Sequence, residues 1–241
     1  MNIVILMAGH SDDFREMGHQ YPKYLLEIDG EPLIHKVVQS LAPIEGRLIF
    51  ILRKEDNESA YLGETLRILC PQASILQVEG TTKGAVCTLL YAIDLIDSDE
   101  ELLVVNGDQL ILSSIADAVQ FFRQNKLDGG IITFPSVHPR WSYVLLDKDN
   151  HVVQASEKRP ISNRATAGCY YYRHGRDCVQ AGMSVIEKDA NTNGLYYIST
   201  TYNELILDQK TIGVHDINRS DYISFATYQM YESFIYQKRA I

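Results

Sequence analysis

The sequence predicts an α/β fold in which a mostly parallel, Rossmann-like sheet is flanked by helices. Short apolar runs, typical of buried strands, alternate with longer segments whose apolar residues recur at helical spacing up to about residue 135. This strand–helix alternation indicates a largely parallel sheet with helices on both faces. From about residue 140, strand-like segments follow one another directly, which predicts a smaller β-rich portion.

The first half of the chain supplies most of the predicted sheet. Five apolar runs are predicted to be strands, at 3–7, 47–52, 74–78, 102–105 and 130–134. Helical spacing predicts four helices between them, over 32–41, 60–69, 84–96 and 115–122. Pro32 suits the start of the first helix because the first N–H groups of a helix have no partner inside it.

The second half begins with predicted strands and ends with predicted helices. Alternating apolar residues predict strands over 141–146, 152–157 and 168–173. Helices are predicted over 176–188 and 199–208, followed by a strand over 212–216 and a last helix over 221–238. Because there is no repeat, low-complexity tract or linker, we expect a single domain over residues 1–241.

Composition excludes several classes of protein. With 22 basic and 31 acidic residues, the net charge is −9, which argues against a nucleic-acid partner. No apolar run approaches the roughly 20 residues of a membrane-spanning helix, and no basic residue precedes the first apolar run as in a signal peptide. We therefore expect a cytoplasmic protein without a membrane partner. The 15 tyrosines leave a homo-oligomer possible.

The turn after the first predicted strand is a candidate phosphate site. It reads Ala8-Gly9-His10-Ser11. Doubly wound sheets bind phosphates at this turn because backbone N–H groups point outward there. The sequence is neither a Walker loop nor a GxGxxG fingerprint, so an ordinary strand–helix turn is the alternative interpretation.

Several motifs, taken in order, carry a family resemblance. They are Ala8-Gly9, Pro22-Lys23, Gly30-Glu31-Pro32, Gly80-Thr81-Thr82-Lys83-Gly84-Ala85, Asn106-Gly107-Asp108, Glu157-Lys158 and Ala167-Gly168-Cys169-Tyr170-Tyr171. This series resembles the nucleotidyltransferases that make activated sugars and related phospho-alcohols, and within them a branch found in capsule and surface-polysaccharide biosynthesis. The resemblance implies a GT-A-like fold, with a nucleotide-binding half over 1–135 and an acceptor-binding half over 136–241.

The same resemblance implies a reaction. A nucleoside monophosphate passes from an NTP, with CTP or UTP favoured, to a phosphorylated sugar or similar small acceptor, and pyrophosphate is released. Protein groups in such a transfer mainly position the substrates and neutralise charge. Because the chain is acidic, an anionic substrate requires local cations.

The resemblance also assigns roles to individual residues. Lys23 and Asp108 are the candidate catalytic residues. The nucleotide would be bound by Ala8, Gly9, Ser11, Thr82 and Gly84. The acceptor would be bound by Glu157, Lys158 and Gly168. Mg²⁺ would be held by Asp108 and Asp216, since carboxylates together with substrate phosphates are its usual ligands.

Two departures from the family pattern keep other functions open. The family loop reads G-x-G-x-R, but here Ser11 replaces the second glycine and Asp13 stands at the arginine position, with Arg15 two residues later. The metal-binding D-x-G-T-P-E-D segment is also replaced, by the sequence that starts at Asp216. One alternative is an NDP-sugar-dependent glycosyltransferase of the GT-A type, although Asp108 is not part of a D-x-D. The other is a nucleotide-binding relative that has lost catalysis.

Overall fold

The computed structural model describes residues 1–239, so the last two residues of the predicted domain lie outside the described residues. The strands are β1 (Asn2–Met7), β2 (Glu27–Ile28), β3 (Glu31–Pro32), β4 (Arg47–Arg53), β5 (Ser74–Val78), β6 (Leu102–Asn106), β7 (Gln109–Ile111), β8 (Gly129–Pro135), β9 (Ser142–Leu146), β10 (Val152–Glu157), β11 (Arg164–Tyr172), β12 (Ile212–Asp216) and β13 (Tyr222–Ser224). The helices are α1 (Asp12–Glu16), α2 (Leu33–Leu41), α3 (Lys54–Ala60), α4 (Leu62–Leu69), α5 (Ala85–Leu89), α6 (Ile93–Ile96), α7 (Ile115–Gln124), α8 (Gly175–Glu187), α9 (Ile198–Leu207) and α10 (Tyr228–Arg239). Within residues 1–239, no helix combines the length and apolarity that a membrane span needs.

Strands from both halves of the sequence join one nine-stranded sheet. Its order is β10-β9-β11-β6-β1-β4-β5, and β8 pairs with β11 and β12. The four strands β6, β1, β4 and β5 are mutually parallel, and β11 continues the sheet antiparallel to β6. This confirms the predicted fold class. Because β1, β4 and β6 run the same way, their carboxyl ends meet at one edge, where open α/β sheets bind ligands.

Alternate residues of the central strand β1 pack into two apolar cores, one on each face of the sheet. Ile3, Ile5 and Met7 of β1 belong to the core that contains α2 and α7. Val4 and Leu6 belong to the core that contains α5, α8 and α9. Burial of an aliphatic side chain contributes about 1.5–3 kcal/mol, so the register of β1 is strongly fixed.

Two helices predicted in the first half of the chain are interrupted in the structure. The predicted helix over 60–69 begins at Leu62, because Tyr61 adopts a left-handed backbone (φ 52°) that separates it from the unpredicted α3. The predicted helix over 84–96 is divided into α5 and α6 by a 3₁₀ turn over Leu90–Ala92. Apolar spacing identifies a helical face but does not reveal such local breaks.

The start of the last helix was predicted seven residues too early. Tyr222–Ser224 forms β13, which pairs antiparallel with β7, and α10 begins only at Tyr228. Tyr222 and Phe225 have the spacing of a helical face, but both are buried beside the sheet. The long-range pairing with β7 therefore determines the conformation of this segment.

Candidate active site

Lys23 and Asp108 form a buried ion pair at the carboxyl edge of the sheet. Their Nζ and Oδ2 atoms are 2.8 Å apart, with the lysine side chain 5% exposed and the aspartate 18%. Asp108 follows β6, and its carbonyl accepts a hydrogen bond from the backbone N–H of Phe225. The Lys23 ammonium also lies 3.4 Å from the Ala226 carbonyl. The structure thus brings together the two residues predicted to be catalytic.

The loop after β1 is fastened to the segment that carries Lys23. The buried Ser11 hydroxyl accepts the N–H of Lys23, and the Gly9 N–H donates to the Tyr24 hydroxyl over 3.0 Å. A Cβ on Gly9 would lie 3.1 Å from the Lys23 ammonium, so glycine permits this close approach. Gly9 and Ser11 therefore surround Lys23, whereas Ala8 packs against the second core.

The predicted base-binding segment lies beside this loop. His10 and Thr81 are linked by a 3.3 Å contact between Nε2 and Oγ1. The Thr82 hydroxyl contacts both the Gly84 carbonyl and the Thr88 hydroxyl, which fixes the turn before α5. The predicted nucleotide residues of the two loops therefore line one region of the sheet edge.

The predicted acceptor residue Gly168 is joined to the Asp108 turn through Gln109. The Gln109 amide donates to the carbonyls of Ala167 and Gly168 over 2.6 and 3.0 Å. Gly168 has a positive φ of 59°, and a Cβ there would lie 2.5 Å from the Asn106 amide nitrogen. A residue without a side chain is therefore required at this irregularity of β11.

Glu157 ends β10 and contacts the first turn of α9, and Lys158, the next residue, contacts the segment just before that helix. Glu157 accepts hydrogen bonds from Ser142 and, over 3.1 Å, from Ser199. Burial raises the pKa of the Glu157 carboxyl, although both serines oppose this shift. Lys158 lies 5.3 Å from the centre of the Tyr197 ring, and interaction with Tyr197 raises its pKa.

The segment before α9 was not recognised from the sequence. Tyr196 exchanges backbone hydrogen bonds with Lys83 and Val86 on the predicted base-binding segment. The following residues, Tyr197 and Ser199, contact Lys158 and Glu157. One segment thus touches both predicted subsites. The available signal was the Gly194-Leu195-Tyr196-Tyr197 run just before a helix, where a turn precedes two adjacent aromatic residues.

The structure does not bring Asp216 to Asp108. The Asp216 carboxylate binds the Thr133 hydroxyl over 2.5 Å and Arg164 over 3.3 Å. It ends β12, which is separated from β6 by β8 and β11, and three strand spacings amount to roughly 14 Å. The prediction that both carboxylates hold one metal is therefore corrected. The C-terminal residues that lie beside the ion pair are Phe225 and Ala226.

Asp108 offers a carboxylate for a metal at this edge of the sheet. Among residues 1–239, no group of three or more acidic, histidine or cysteine side chains is arranged to hold a metal ion. Mg²⁺ commonly uses one or two carboxylates, with substrate phosphates and water as its other ligands. A partly exposed aspartate at the carboxyl edge of the sheet fits that mode of binding, whereas it does not suit an all-protein metal site.

Asp13 stands at the position of the family arginine, and Arg15 lies two residues later. Both side chains bind other parts of this chain. The Asp13 carboxylate accepts the backbone N–H of Tyr228 at the start of α10, over 2.6 Å. Arg15 binds the buried carboxylate of Asp56 over 3.1 Å and that of Glu55 over 3.2 Å. In this structure Arg15 therefore does not replace the missing loop arginine.

A buried charged cluster lies beneath the loop and was also missed from the sequence. Arg53, at the end of β4, pairs with Glu55, yet its Nε and Nη1 atoms are buried without a partner among residues 1–239. Burial raises the pKa of Asp56, while Arg53 and Arg15 lower it. This cluster supports the first loop from the β4 side. Its only sequence signal is a charged run directly after an apolar strand.

Comparison with known proteins identifies the family. The profile of the nucleotidyl transferase family matches residues 2–206. The bifunctional protein GlmU of Methanocaldococcus jannaschii is 25% identical over 175 residues, which cover 71% of this chain but 40% of that protein. The UTP–glucose-1-phosphate uridylyltransferase AglF of Haloferax volcanii is 23% identical over 224 residues, covering 88% of this chain and 86% of that protein. The chain thus spans less than half the length of the GlmU protein.

Solved structures share the fold. A nucleoside-diphosphate-sugar pyrophosphorylase from Vibrio cholerae RC9 superposes with a TM-score of 0.82 at 26% identity, covering 97% of this chain and 99% of that one. The inositol-1-phosphate CTP transferase of T. maritima has a TM-score of 0.74 at 16% identity, covering 98% and 93%, and shows the fold alone. With a family profile that matches most of its length, this chain belongs to the nucleotidyl transferase family.

Proposed function

We propose that this protein transfers a nucleotidyl group from an NTP to a sugar phosphate and releases pyrophosphate. The observation that carries the proposal is the Lys23–Asp108 ion pair at the carboxyl edge of the sheet, beside the loop after β1. A buried ammonium paired with a partly exposed carboxylate suits a reaction that depends on positioning and charge neutralisation.

In the proposed reaction, a phosphate oxygen of the acceptor attacks the α-phosphorus of the NTP. The bond from that phosphorus to the oxygen bridging the α- and β-phosphates breaks, and pyrophosphate leaves with the bonding electrons. Lys23 would neutralise phosphate charge, while Asp108 would hold Mg²⁺ together with substrate phosphates. The ion would supply further charge neutralisation at the phosphates. Glu157 would accept hydrogen bonds from acceptor hydroxyls, and Lys158 would bind the acceptor phosphate.

We also propose which nucleotide is the donor and which kind of phosphate is the acceptor. We favour UTP or CTP as the donor and a hexose phosphate, or a similar phosphorylated alcohol, as the acceptor. The uridylyltransferase from H. volcanii supports a pyrimidine donor. The role we propose is supply of an activated sugar for surface polysaccharide.

A pyrophosphate-release assay tests the proposal. Each common NTP is paired with several sugar 1-phosphates, in Mg²⁺ and in EDTA. We expect release with one preferred pair and none in EDTA. Absence of release for every pair, from protein that unfolds cooperatively, would reject the transferase. Thermal stabilisation by NDP-sugars alone would then favour the glycosyltransferase alternative, since ligands that bind the native state raise its stability.

A further inference from the structure

A cavity of about 760 Å³ lies between α10, β13 and the start of β9. Its wall includes Arg140 and Trp141 before β9, Arg219 before β13, and Ser233 and Lys238 on α10. The volume is within the roughly 300–1,000 Å³ range of small-molecule sites. Neither Lys23 nor Asp108 lines the cavity.

The charge of this cavity is opposite to that of the whole protein. Three cationic side chains and no carboxylate line it within residues 1–239, although the chain carries a net charge of −9. Lys238 pairs with Asp29, but neither arginine forms an ion pair with a carboxylate in the described part of the chain. Local cations of this kind attract anions against an unfavourable global field.

Aromatic rings and hydrogen bonds, rather than carboxylates, position the two arginines. The Arg140 guanidinium contacts the His138 ring nitrogens over 3.1 Å, and Arg219 donates to the Tyr222 carbonyl over 2.7 Å. The Arg140 guanidinium lies 5.7 Å from the Trp141 ring centre, and that of Arg219 lies 5.1 Å from the Phe134 ring and 6.0 Å from that of Tyr222. These contacts orient each guanidinium and leave its positive charge without a carboxylate partner in the described part of the chain. The remaining N–H groups of such a guanidinium can donate hydrogen bonds to a phosphate group.

Buried aromatic residues separate the cavity from the catalytic pair. The Tyr222 hydroxyl donates to Gln109, which follows Asp108, and the Tyr222 ring stacks on Phe134 at 4.5 Å. The fully buried Phe225 follows Ser224 of the cavity wall and precedes Ala226, whose carbonyl contacts Lys23. The wall also approaches the predicted acceptor site through the backbone, where the Lys158 N–H donates to the Trp141 carbonyl.

We propose that this cavity is a second binding site, for a phosphate-bearing small molecule, separate from the Lys23–Asp108 centre. Arg140 and Arg219 bind the phosphate, and the serine and glutamine side chains of α10 face the rest of the ligand. A sugar phosphate and a nucleotide share this phosphate chemistry. The site does not depend on the proposed transferase activity, because its test measures binding alone.

The only tryptophan of the chain, Trp141, provides a direct probe of the cavity. Its fluorescence is titrated with glucose 1-phosphate and with UMP, and with glucose and uridine as uncharged matches; calorimetry repeats each titration. We expect saturable binding of at least one phosphorylated probe, weakening as salt is added. Tighter binding of glucose 1-phosphate would identify the ligand as a sugar phosphate, and tighter binding of UMP would identify it as a nucleotide. Equal binding of the uncharged matches, or no binding by either method, would overturn the proposal.

A charge introduced at Ser233 tests the location of the site. Ser233→Glu puts a carboxylate on the cavity wall, and its matched control is Ser59→Glu on α3. Both serines are exposed and donate to a carbonyl four residues earlier, so the two changes have similar local effects. We expect binding to weaken about tenfold or more in Ser233→Glu and in Arg140→Gln, and to stay unchanged in Ser59→Glu.

The catalytic centre is the competing location for the same probes. In Lys23→Met we expect the Trp141 signal and the calorimetric affinity at this site to persist. If Lys23→Met abolishes binding while Ser233→Glu leaves it intact, the probes occupy the Lys23–Asp108 centre and the proposal is wrong. Circular dichroism verifies that each variant is folded.

Discussion

Asp13 connects the first loop of the sheet to the last helix, because its carboxylate accepts the backbone N–H of Tyr228 over 2.6 Å. The first N–H groups of a helix have no partner inside the helix, and a carboxylate there is also favoured by the helix dipole. Phe14, the next residue, packs edge-to-face on the Tyr228 ring at 5.8 Å. The acidic residue at the position of the family arginine therefore has a structural partner within the chain.

We expect Asp13→Ala to lower the free energy of unfolding by about 1 kcal/mol, the usual contribution of a helix-capping side chain. In a chain of this length, this corresponds to a loss of about 2–4 °C in melting temperature. Asp12→Ala is the control, since Asp12 contacts only His10 and Arg15 near the surface. Denaturant unfolding measures both variants. Equal stabilities would show that the hydrogen bond to α10 contributes nothing.

Contacts between residues that are distant in the chain could not be predicted from the sequence. The strands of the nine-stranded sheet were predicted because apolar runs are local features. Lys23 and Asp108 were selected from the motifs that contain them, and the structure brings the two side chains together. The partners of Arg15 and Asp13 lie 41 and 215 residues away, and no local pattern indicates them. Tyr222 was assigned to a helix for the same reason, since pairing with β7 overrides local spacing. Asp216 ends a strand as predicted, but sequence order does not reveal that this strand lies beyond β8 and β11.

We expect Asp108→Asn to reduce pyrophosphate release by about 10²–10³-fold or more, the usual effect of removing a group that stabilises transition-state charge. The substitution also leaves the Lys23 ammonium without its carboxylate partner, so folding is verified by the melting temperature. Initial rates at saturating Mg²⁺ measure the effect. A rate close to that of the wild type would remove Asp108 from the reaction.

Asp216→Asn serves as the matched substitution. Because Asp216 binds Arg164 and Thr133 at a distant strand, we expect the Mg²⁺ concentration for half-maximal rate to stay unchanged. Loss of the ion pair with Arg164 should instead cause a small decrease in the free energy of unfolding, since an exposed ion pair contributes about 0–1 kcal/mol. A large increase in the required Mg²⁺ would restore Asp216 to the metal site.

Glu157 should make stability depend on pH in a defined direction. Burial raises its folded-state pKa, so the protonated carboxyl is favoured in the folded protein. Below the ordinary glutamate pKa, the carboxyl is protonated in both states, and Glu157→Gln should differ little from the wild type. As pH rises through the raised pKa, the wild type loses the contribution of the protonated group, so stability should shift in favour of Glu157→Gln. Urea unfolding of both proteins, from below the ordinary glutamate pKa to above the raised one, tests this prediction. If the difference in their free energies of unfolding did not change with pH, the raised pKa of Glu157 would be contradicted.

Gly84 should be far less tolerant of a side chain than Gly80, although both have positive φ angles of 103° and 66°. A Cβ on Gly84 would lie 2.5 Å from the Tyr196 carbonyl oxygen, whereas nothing lies within 4 Å of a Cβ on Gly80. We expect Gly80→Ala to cost about 1–2 kcal/mol of backbone strain and Gly84→Ala about 1–3 kcal/mol more from overpacking. Because Tyr196 joins the two predicted subsites, Gly84→Ala should also raise the KM for the NTP. Unfolding and steady-state kinetics compare the pair, and equal effects would show that Tyr196 does not constrain this turn.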